Sequence, residues 1–288
     1  MIVVTGANGQ LGQAVVDRLL NRLPAAHVAV SVRDPVGAAA LASRGVEVRQ
    51  GDFADQAAMT TAFAGADRVL IVSANALGEQ ALALHRTAIA AARAAGVGHV
   101  FYTSHMGARI GSAFAPTDQH ARTEEALAAS GIPYTALRHG FYAESCAMIL
   151  KDALRTGELR VPEDGPVSWT GRDDLADADA ALLAAAEVKK GPTPPLTSAV
   201  SVTMADVASL ASEITGQRIS HVTVDDAAWR DAKVAAGVPP RYADLQLGIF
   251  QAARAGDFAA TDDALATTIC RAPDTLRAVL TRELARAA

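Results

Sequence analysis

The chain has two cysteines in 288 residues, Cys146 and Cys270, and neither stands at metal-ligand spacing from another cysteine or a histidine. A disulfide scaffold is excluded, no metal site is expected, and both thiols read as small hydrophobes in a reducing compartment. Lysine is scarce too: of 26 basic residues only Lys151, Lys189, Lys190 and Lys233 are lysine, so the first 150 residues hold none. A Walker phosphate loop, which needs a lysine on the phosphates, is thereby excluded from that stretch. With a formal charge of -5 the chain lacks the cationic field of a nucleic-acid or membrane-surface binder. No apolar run approaches the roughly 18 residues that span a bilayer, because Arg, Asp and His interrupt the alanine-rich stretches. Met1-Ile-Val-Val-Thr5 has neither a cationic start nor a small-residue cleavage site, so a cytoplasmic protein beginning at its first core strand is expected.

What is present is 50% hydrophobic residues, enough for a sizeable core in one large domain or two moderate ones. Apolar, β-branched runs at residues 2–5, 27–32, 46–49, 69–72, 100–103 and 134–137 predict strands buried on both faces. Helical patterns separate them. Residues 10–23 place Leu11, Val15, Leu19 and Leu20 on one face, and residues 79–95 repeat the pattern with Leu82 and Ile89 before a stop at Gly96. Such alternation predicts an α/β fold with a parallel, doubly wound sheet over residues 1–140. Residues 141–288 read as a smaller α+β substrate lobe, partly interleaved with the first domain. There we expect a helix over 141–156, a strand at 159–161, a turn at 163–166 and a helix over 173–186. A stiff surface connection follows at 189–195, then a helix from the N-cap Thr203 to Gly216, a strand at 219–224, and helices near 226–236, 240–255 and 273–285.

The strongest local signal is Thr5-Gly6-Ala7-Asn8-Gly9-Gln10-Leu11-Gly12, directly after the first strand and opening the first helix. Gly6 permits a tight turn, Gly9 lets the backbone approach a pyrophosphate, and Gly12 allows close helix packing. The helix N-terminus supplies unpaired N–H groups to the phosphates. This predicts dinucleotide binding. At the end of the second strand, where an acid would hold the ribose 2′-hydroxyl of NAD, stands Arg33, which suits the 2′-phosphate of NADP, while Asp34 beside it keeps NADH open. Asp52 and Phe53 follow the third strand, where the aspartate either reaches the adenine amine or closes a turn. Ser73, Ala74 and Asn75 end the fourth strand and leave room beside the nicotinamide ribose.

These residues, with Tyr102-Thr103-Ser104, the His120 and Glu124 pair and Leu137-Arg-His-Gly-Phe-Tyr142, resemble the NmrA-like atypical short-chain dehydrogenases, above all their bacterial quinone-reducing members. The resemblance runs through almost the whole chain. It implies NADPH as cofactor, touched by residues 6–11, Arg33, the 73–78 segment and the 137–142 segment, so that Thr103, Ser104, His139, Gly140, Phe141 and Tyr142 join the candidate cofactor residues. It implies a quinone or similar flat electrophile as the small-molecule substrate, seated between sheet and lobe; no membrane or nucleic-acid partner is expected, and a homodimer stays open.

The tyrosine and lysine of ordinary short-chain dehydrogenases are missing, since their aligned place holds His120 and Glu124. Tyr134-Thr-Ala-Leu-Arg138 is a decoy, because in a strand a spacing of four does not join two side chains on a helix face. At i and i+4 on a helix His120 and Glu124 are expected to pair, either for structure or so that Glu124 orients the ring and raises its pKa for proton donation. His105 and His139 are rival donors. Phe141 and Tyr142 are expected to wall the nicotinamide, Phe114 and Trp169 to stack on substrate, and Arg172 and Asp174 to cap a helix or tie the lobes together. The expected function is an NADPH-dependent quinone reductase. The alternative is a non-catalytic NAD(P)-binding redox sensor, and an isomerase or epimerase is disfavoured by the absent tyrosine and lysine.

Overall fold

A computed structural model describes residues 1–287. In chain order strands β1 (Ile2–Thr5), β2 (Val28–Val32), β3 (Glu47–Gln50), β4 (Arg68–Ile71), β5 (His99–His105) and β6 (Tyr134–His139) alternate with helices α1 (Gln10–Leu20), α2 (Ala39–Ala42), α3 (Gln56–Ala62), α4 (Gly78–Ala94) and α5 (Ala115–Ser130). Then come β7 (Phe141–Tyr142), α6 (Ala143–Thr156), β8 (Glu158–Pro162), β9 (Trp169–Thr170), α7 (Arg172–Ala184), β10 (Gly191–Pro192), α8 (Met204–Thr215) and β11 (Ser220–Val224). The chain ends in α9 (Asp226–Ala235), α10 (Pro240–Arg254), α11 (Ala264–Ile269) and α12 (Leu276–Ala287).

The main sheet has the order β10-β6-β5-β4-β1-β2-β3 with every pairing parallel. This is the doubly wound arrangement, with its reversal of strand order between β1 and β4, where ligands sit at the carboxyl ends of the strands. Helices α1 and α7 cover one face through Leu11, Val15, Leu19, Leu175 and Leu183, while Met59, Ile89 and Leu127 from α3, α4 and α5 cover the other. Ion pairs from Arg18 to Asp173 and Asp177, at 2.8 and 2.9 Å, tie α1 to α7. The sequence after residue 140 thus returns to the sheet. The expected surface connection at 189–195 is corrected on this point: Gly191 and Pro192 pair with Thr135 and Ala136 as a seventh strand. A proline is tolerated there because the strand is at the edge, where one side of its backbone needs no ladder partner.

The lobe has its own core, in which α6, α8, α10 and α12 pack around the two-stranded parallel ladder of β8 and β11. Its second ladder pairs Phe141 with Trp169 and Tyr142 with Thr170. Thr203 caps α8 in a reciprocal box with Asp206, which gives that helix a defined start. No helix among the described residues is long and apolar enough to cross a membrane.

Candidate functional site

The glycine turn after β1 closes through the Gly9 N–H donating to the Gly6 carbonyl at 2.9 Å, with Gly6 in the left-handed region at φ +64°. A Cβ on Gly12 would lie 2.4 Å from the Gly6 oxygen, so the helix approaches the turn as closely as only glycine permits. Gly9 caps α1 without a side chain and no acid occupies the first turn, which leaves the helix N-terminus free for an anion. Ala7 and Leu11 point into the core, so only their backbone is available to a ligand. Asn8 Nδ2 donates to the Asp34 carbonyl at 3.0 Å, and the Asp34 carboxylate accepts from the Val36 N–H at 3.0 Å. Arg33 is exposed and, among the described residues, its guanidinium has no ion-pair partner. Asp52 accepts from the Ala54 N–H at 2.9 Å and so closes a turn, while Phe53 leans on the core.

The segment after β4 is pinned by side chains from three elements. Val72 N–H donates to Thr5 Oγ1 at 2.9 Å, Ser73 N–H to Thr103 Oγ1 at 2.8 Å, and Ala74 N–H to His85 Nε2 at 2.9 Å. Asn75 stands exposed beyond them. One strand over, the β5–β6 register sets Ser104 beside Arg138 and His105 beside His139.

This register overturns the expected pairing on α5. Glu124 does not bond His120; its carboxylate accepts from Arg138 at 2.7 and 3.1 Å and from Ser104 Oγ at 2.6 Å. Arg138, the residue set aside as a decoy, is the partner, because two charged groups facing one another from strand and helix outcompete a neutral imidazole one turn away. His120 instead meets Tyr102, whose hydroxyl lies 2.7 Å from Nδ1. The expected upward pKa shift is likewise corrected: burial, with His105, His85 and His139 nearby, pushes the His120 pKa well below the ordinary histidine value. His105 stacks on it at 6.1 Å between ring centres, and burial drives the His105 pKa down to about 3. Burial thus disfavours the protonated form of both rings.

Around these groups lies a cleft of about 860 Å³ between sheet and lobe. One end is lined by Ser73, Thr103, Ser104, His105, His120 and His139, and the lobe side by the apolar Ile149, Trp229, Leu245, Ile249 and Phe250 together with the charged Asp152, Arg155, Glu158, Arg160 and Lys233. Phe114, Gly140, Phe141 and Tyr142 line it between the two. Trp169 does not: it is 1% exposed, packed edge-on behind Phe141 at 5.2 Å, and its expected place against a substrate is withdrawn because Phe141 screens it. His139 is no free donor either, since its Nε2 is 2.8 Å from the buried carboxylate of Asp179. Gly140 is required by the fold, because a Cβ there would meet Thr170 Oγ1 at 2.2 Å. Tyr142 carries the Arg172 guanidinium at 5.0 Å over its ring, and the same guanidinium donates to Gln10 at 2.6 Å, joining the lobe to the glycine turn. Asp174 accepts from the Asp274 N–H and pairs with Arg271. The contact of Tyr102 with His120, the place of His85 and the lobe wall from α9 and α10 escape a reading by motif. The one available signal was their position, Tyr102 adjoining Thr103 and His85 at mid-helix among alanines.

A model of the NmrA-like family matches residues 1–262. Quinone oxidoreductase 2 of Escherichia coli K12 is 35% identical over 246 residues, with 85% of each chain covered. The crystal structure of an NADPH-dependent quinone oxidoreductase from Escherichia coli, complexed with NADPH, superposes with a TM-score of 0.94 at 32% identity, covering 99% of this chain and 100% of that one. The triphenylmethane reductase of Citrobacter sp., complexed with NADP(H), gives 0.90 at 31% identity over 98% of this chain and 100% of that one.

Proposed function

The chain belongs to the NmrA-like family, and from that premise we propose that its cleft is where an NADPH-dependent oxidoreductase reduces a quinone or similar flat electrophile. The observation that carries the reading is the junction inside that cleft: carboxyl ends of β4, β5 and β6 meet the wall of the lobe in one cavity of about 860 Å³. The volume is within the range of small-molecule sites, roughly 300 to 1,000 Å³.

The residues fit NADPH. Gly6, Ala7, Asn8, Gly9, Gln10, Leu11 and Gly12 offer a carboxylate-free helix N-terminus to a pyrophosphate, and Arg33 offers a free guanidinium to a 2′-phosphate while Asp34 is turned away to Val36. Asp52 and Phe53 flank the adenine side. Ser73, Ala74 and Asn75, with Thr103, Ser104 and the 139–142 segment, border the nicotinamide side. When bound, NADPH supplies the hydride. The chain's part is to position the acceptor between Phe114 and Tyr142, to exclude water with the lobe wall, and to offer His120 as the polar contact. Residues 1–140 serve as the cofactor half and 141–288 as the substrate lobe, which sends α7 and β10 back onto the sheet. A net charge of -5 supports an enzyme of small molecules rather than of nucleic acid; a cytoplasmic location and a homodimer are part of the proposal.

Following NADPH absorbance with a panel of quinones tests the reading, and steady oxidation is expected. Tight NADPH binding without turnover on any quinone would overturn it in favour of a redox sensor.

A further inference from the structure

Two short runs of hydrogen bonds meet between the segment after β4 and the cleft, Ala74–His85–Thr123 and Tyr102–His120, with the Tyr102 hydroxyl 3.5 Å from His85 Nδ1, and their polarity can be read. Ala74 N–H donates to His85 Nε2 at 2.9 Å, so that nitrogen carries a lone pair and the ring proton is on Nδ1. His85 Nδ1 is 2.9 Å from Thr123 Oγ1, whose own hydrogen goes to the Gln119 carbonyl at 2.8 Å. Thr123 is therefore the acceptor of the His85 proton. The Tyr102 hydroxyl, 3.5 Å from that protonated Nδ1, cannot donate to it. It does lie 2.7 Å from His120 Nδ1. Were His120 protonated at Nδ1, the phenol hydrogen of a fully buried tyrosine would lose its 2.7 Å acceptor and have only Thr123 Oγ1, already engaged by His85 and Gln119, to turn to, which is the costlier arrangement.

We infer that Tyr102 donates to His120 Nδ1 and so fixes neutral His120 as its Nε2–H tautomer, a hydrogen-bond donor held toward the substrate oxygen on which negative charge develops. Tyr102 is a positioning residue and His120 is the group in the cleft. The inference rests on the reductase reading and adds what that reading lacks, the protonation state of the polar contact. The reduction balances without a proton from His120. The nicotinamide C–H bond of NADPH breaks, the hydrogen and its electron pair pass to the quinone, NADP⁺ departs, and the hydroquinone anion takes its proton from water. A neutral N–H suits a charge that it stabilises but does not neutralise.

The surroundings of His120 hold it neutral. Burial is the first cause, and His105 from β5, which stacks on it, His85 from α4 and His139 from β6 add to the disfavouring of its charged form. The two carboxylates on its own helix within four residues are both engaged elsewhere, Glu124 by Arg138 and Ser104 and Asp118 by Arg122 and the Gly111 N–H. Tyr102 stays protonated because burial raises its pKa.

The test is ¹⁵N NMR of the histidine-labelled, NADPH-loaded protein. We expect His120 with a protonated Nε2 and a bare Nδ1, unchanged from about pH 5.5 to about pH 8.5, the range in which an ordinary histidine titrates. In Tyr102→Phe the signature becomes a mixture of tautomers and kcat falls about tenfold, the worth of one hydrogen bond, with KM for NADPH unchanged. His120→Gln keeps an N–H donor but cannot pass a proton, so it is expected to retain kcat to within about fivefold, whereas His120→Phe loses about 30-fold or more. Protonation of His120 at Nδ1, titration within that pH range, or a glutamine variant as impaired as the phenylalanine variant would each overturn the inference. Failure of every quinone as substrate would remove the reductase reading instead, and the tautomer signature would still decide the link between Tyr102 and His120.

Discussion

Glu124 on α5 and Arg138 on β6 share two hydrogen bonds, and the same carboxylate accepts from Ser104, so one acid ties a helix to the ends of two adjacent strands. Removing Arg138 strands a carboxylate that is 9% exposed. Because Arg138 itself is 31% exposed, Arg138→Met is expected to cost about 2 to 3 kcal/mol, below the roughly 3 to 5 kcal/mol of a fully buried pair. The double variant Arg138→Met, Glu124→Gln should recover most of the loss, since no buried charge remains. Urea unfolding of the two variants decides it, and an unchanged midpoint for the single variant would reduce the pair to a surface contact.

The same pair shows what the sequence could reveal. Strand and helix alternation, the glycine turn and Arg33 all depend on local patterns, and β1 through β6 lie where the apolar, β-branched runs place them, except that β3, expected to be buried on both faces, is an exposed to half-buried edge strand. Partners of Glu124 depend on the register of β5 against β6, which brings Ser104 and Arg138 together from residues 34 positions apart. Spacing within one helix pointed to His120 instead. The histidine cluster was hidden for the same reason, since His85, His105, His120 and His139 come from four different elements. Gly191 and Pro192 look like a linker because their composition is that of a loop; only the free edge of β6 makes them a strand.

Arg33 and Asp34 divide the choice of cofactor. The carboxylate is engaged by the Val36 N–H, which leaves the guanidinium as the group facing solvent at the strand end. A charge-assisted hydrogen bond to a 2′-phosphate is worth about 1.5 to 3 kcal/mol, or roughly 10- to 150-fold in affinity. Arg33→Ala should weaken NADPH by that factor and leave NADH nearly unchanged. Calorimetric titration with both nucleotides measures it; equal affinities in the unmutated protein would contradict the assignment.

Gly9 and Gly12 are glycines for different reasons, and alanine separates them. At Gly12 a Cβ meets the Gly6 carbonyl at 2.4 Å, a backbone atom that cannot swing aside, so Gly12→Ala is expected to lower Tm and cofactor affinity together. At Gly9 the nearest atom is at 3.2 Å, a contact relieved by a few tenths of an ångström. Gly9→Ala should therefore melt near the unmutated protein yet bind NADPH about tenfold or more weakly, because the methyl group occupies the approach of a pyrophosphate. Melting curves with and without NADPH check both, and a Gly9 variant stabilised by NADPH as much as the unmutated protein would place the phosphates elsewhere.

His85 links acid stability to the site. It is 1% exposed, and burial lowers its pKa from 6.5 to about 4. Between those values the unfolded chain binds a proton that the folded chain refuses, so stability rises with pH across the window and is lost as pH falls through it; above the unfolded pKa both forms are neutral and the dependence ends. At roughly 1.4 kcal/mol per pH unit the loss from this one ring amounts to about 3 kcal/mol. Protonation would also put a hydrogen on Nε2, the atom that accepts from Ala74 N–H, so the segment bordering the nicotinamide side should loosen in the same range. His85→Gln removes the titration and keeps a polar side chain. Its Tm should fall less between pH 6.5 and about pH 4.5 than that of the unmutated protein, with the carboxylates' contribution common to both. Parallel melting curves across that interval would mean that His85 does not carry the acid sensitivity.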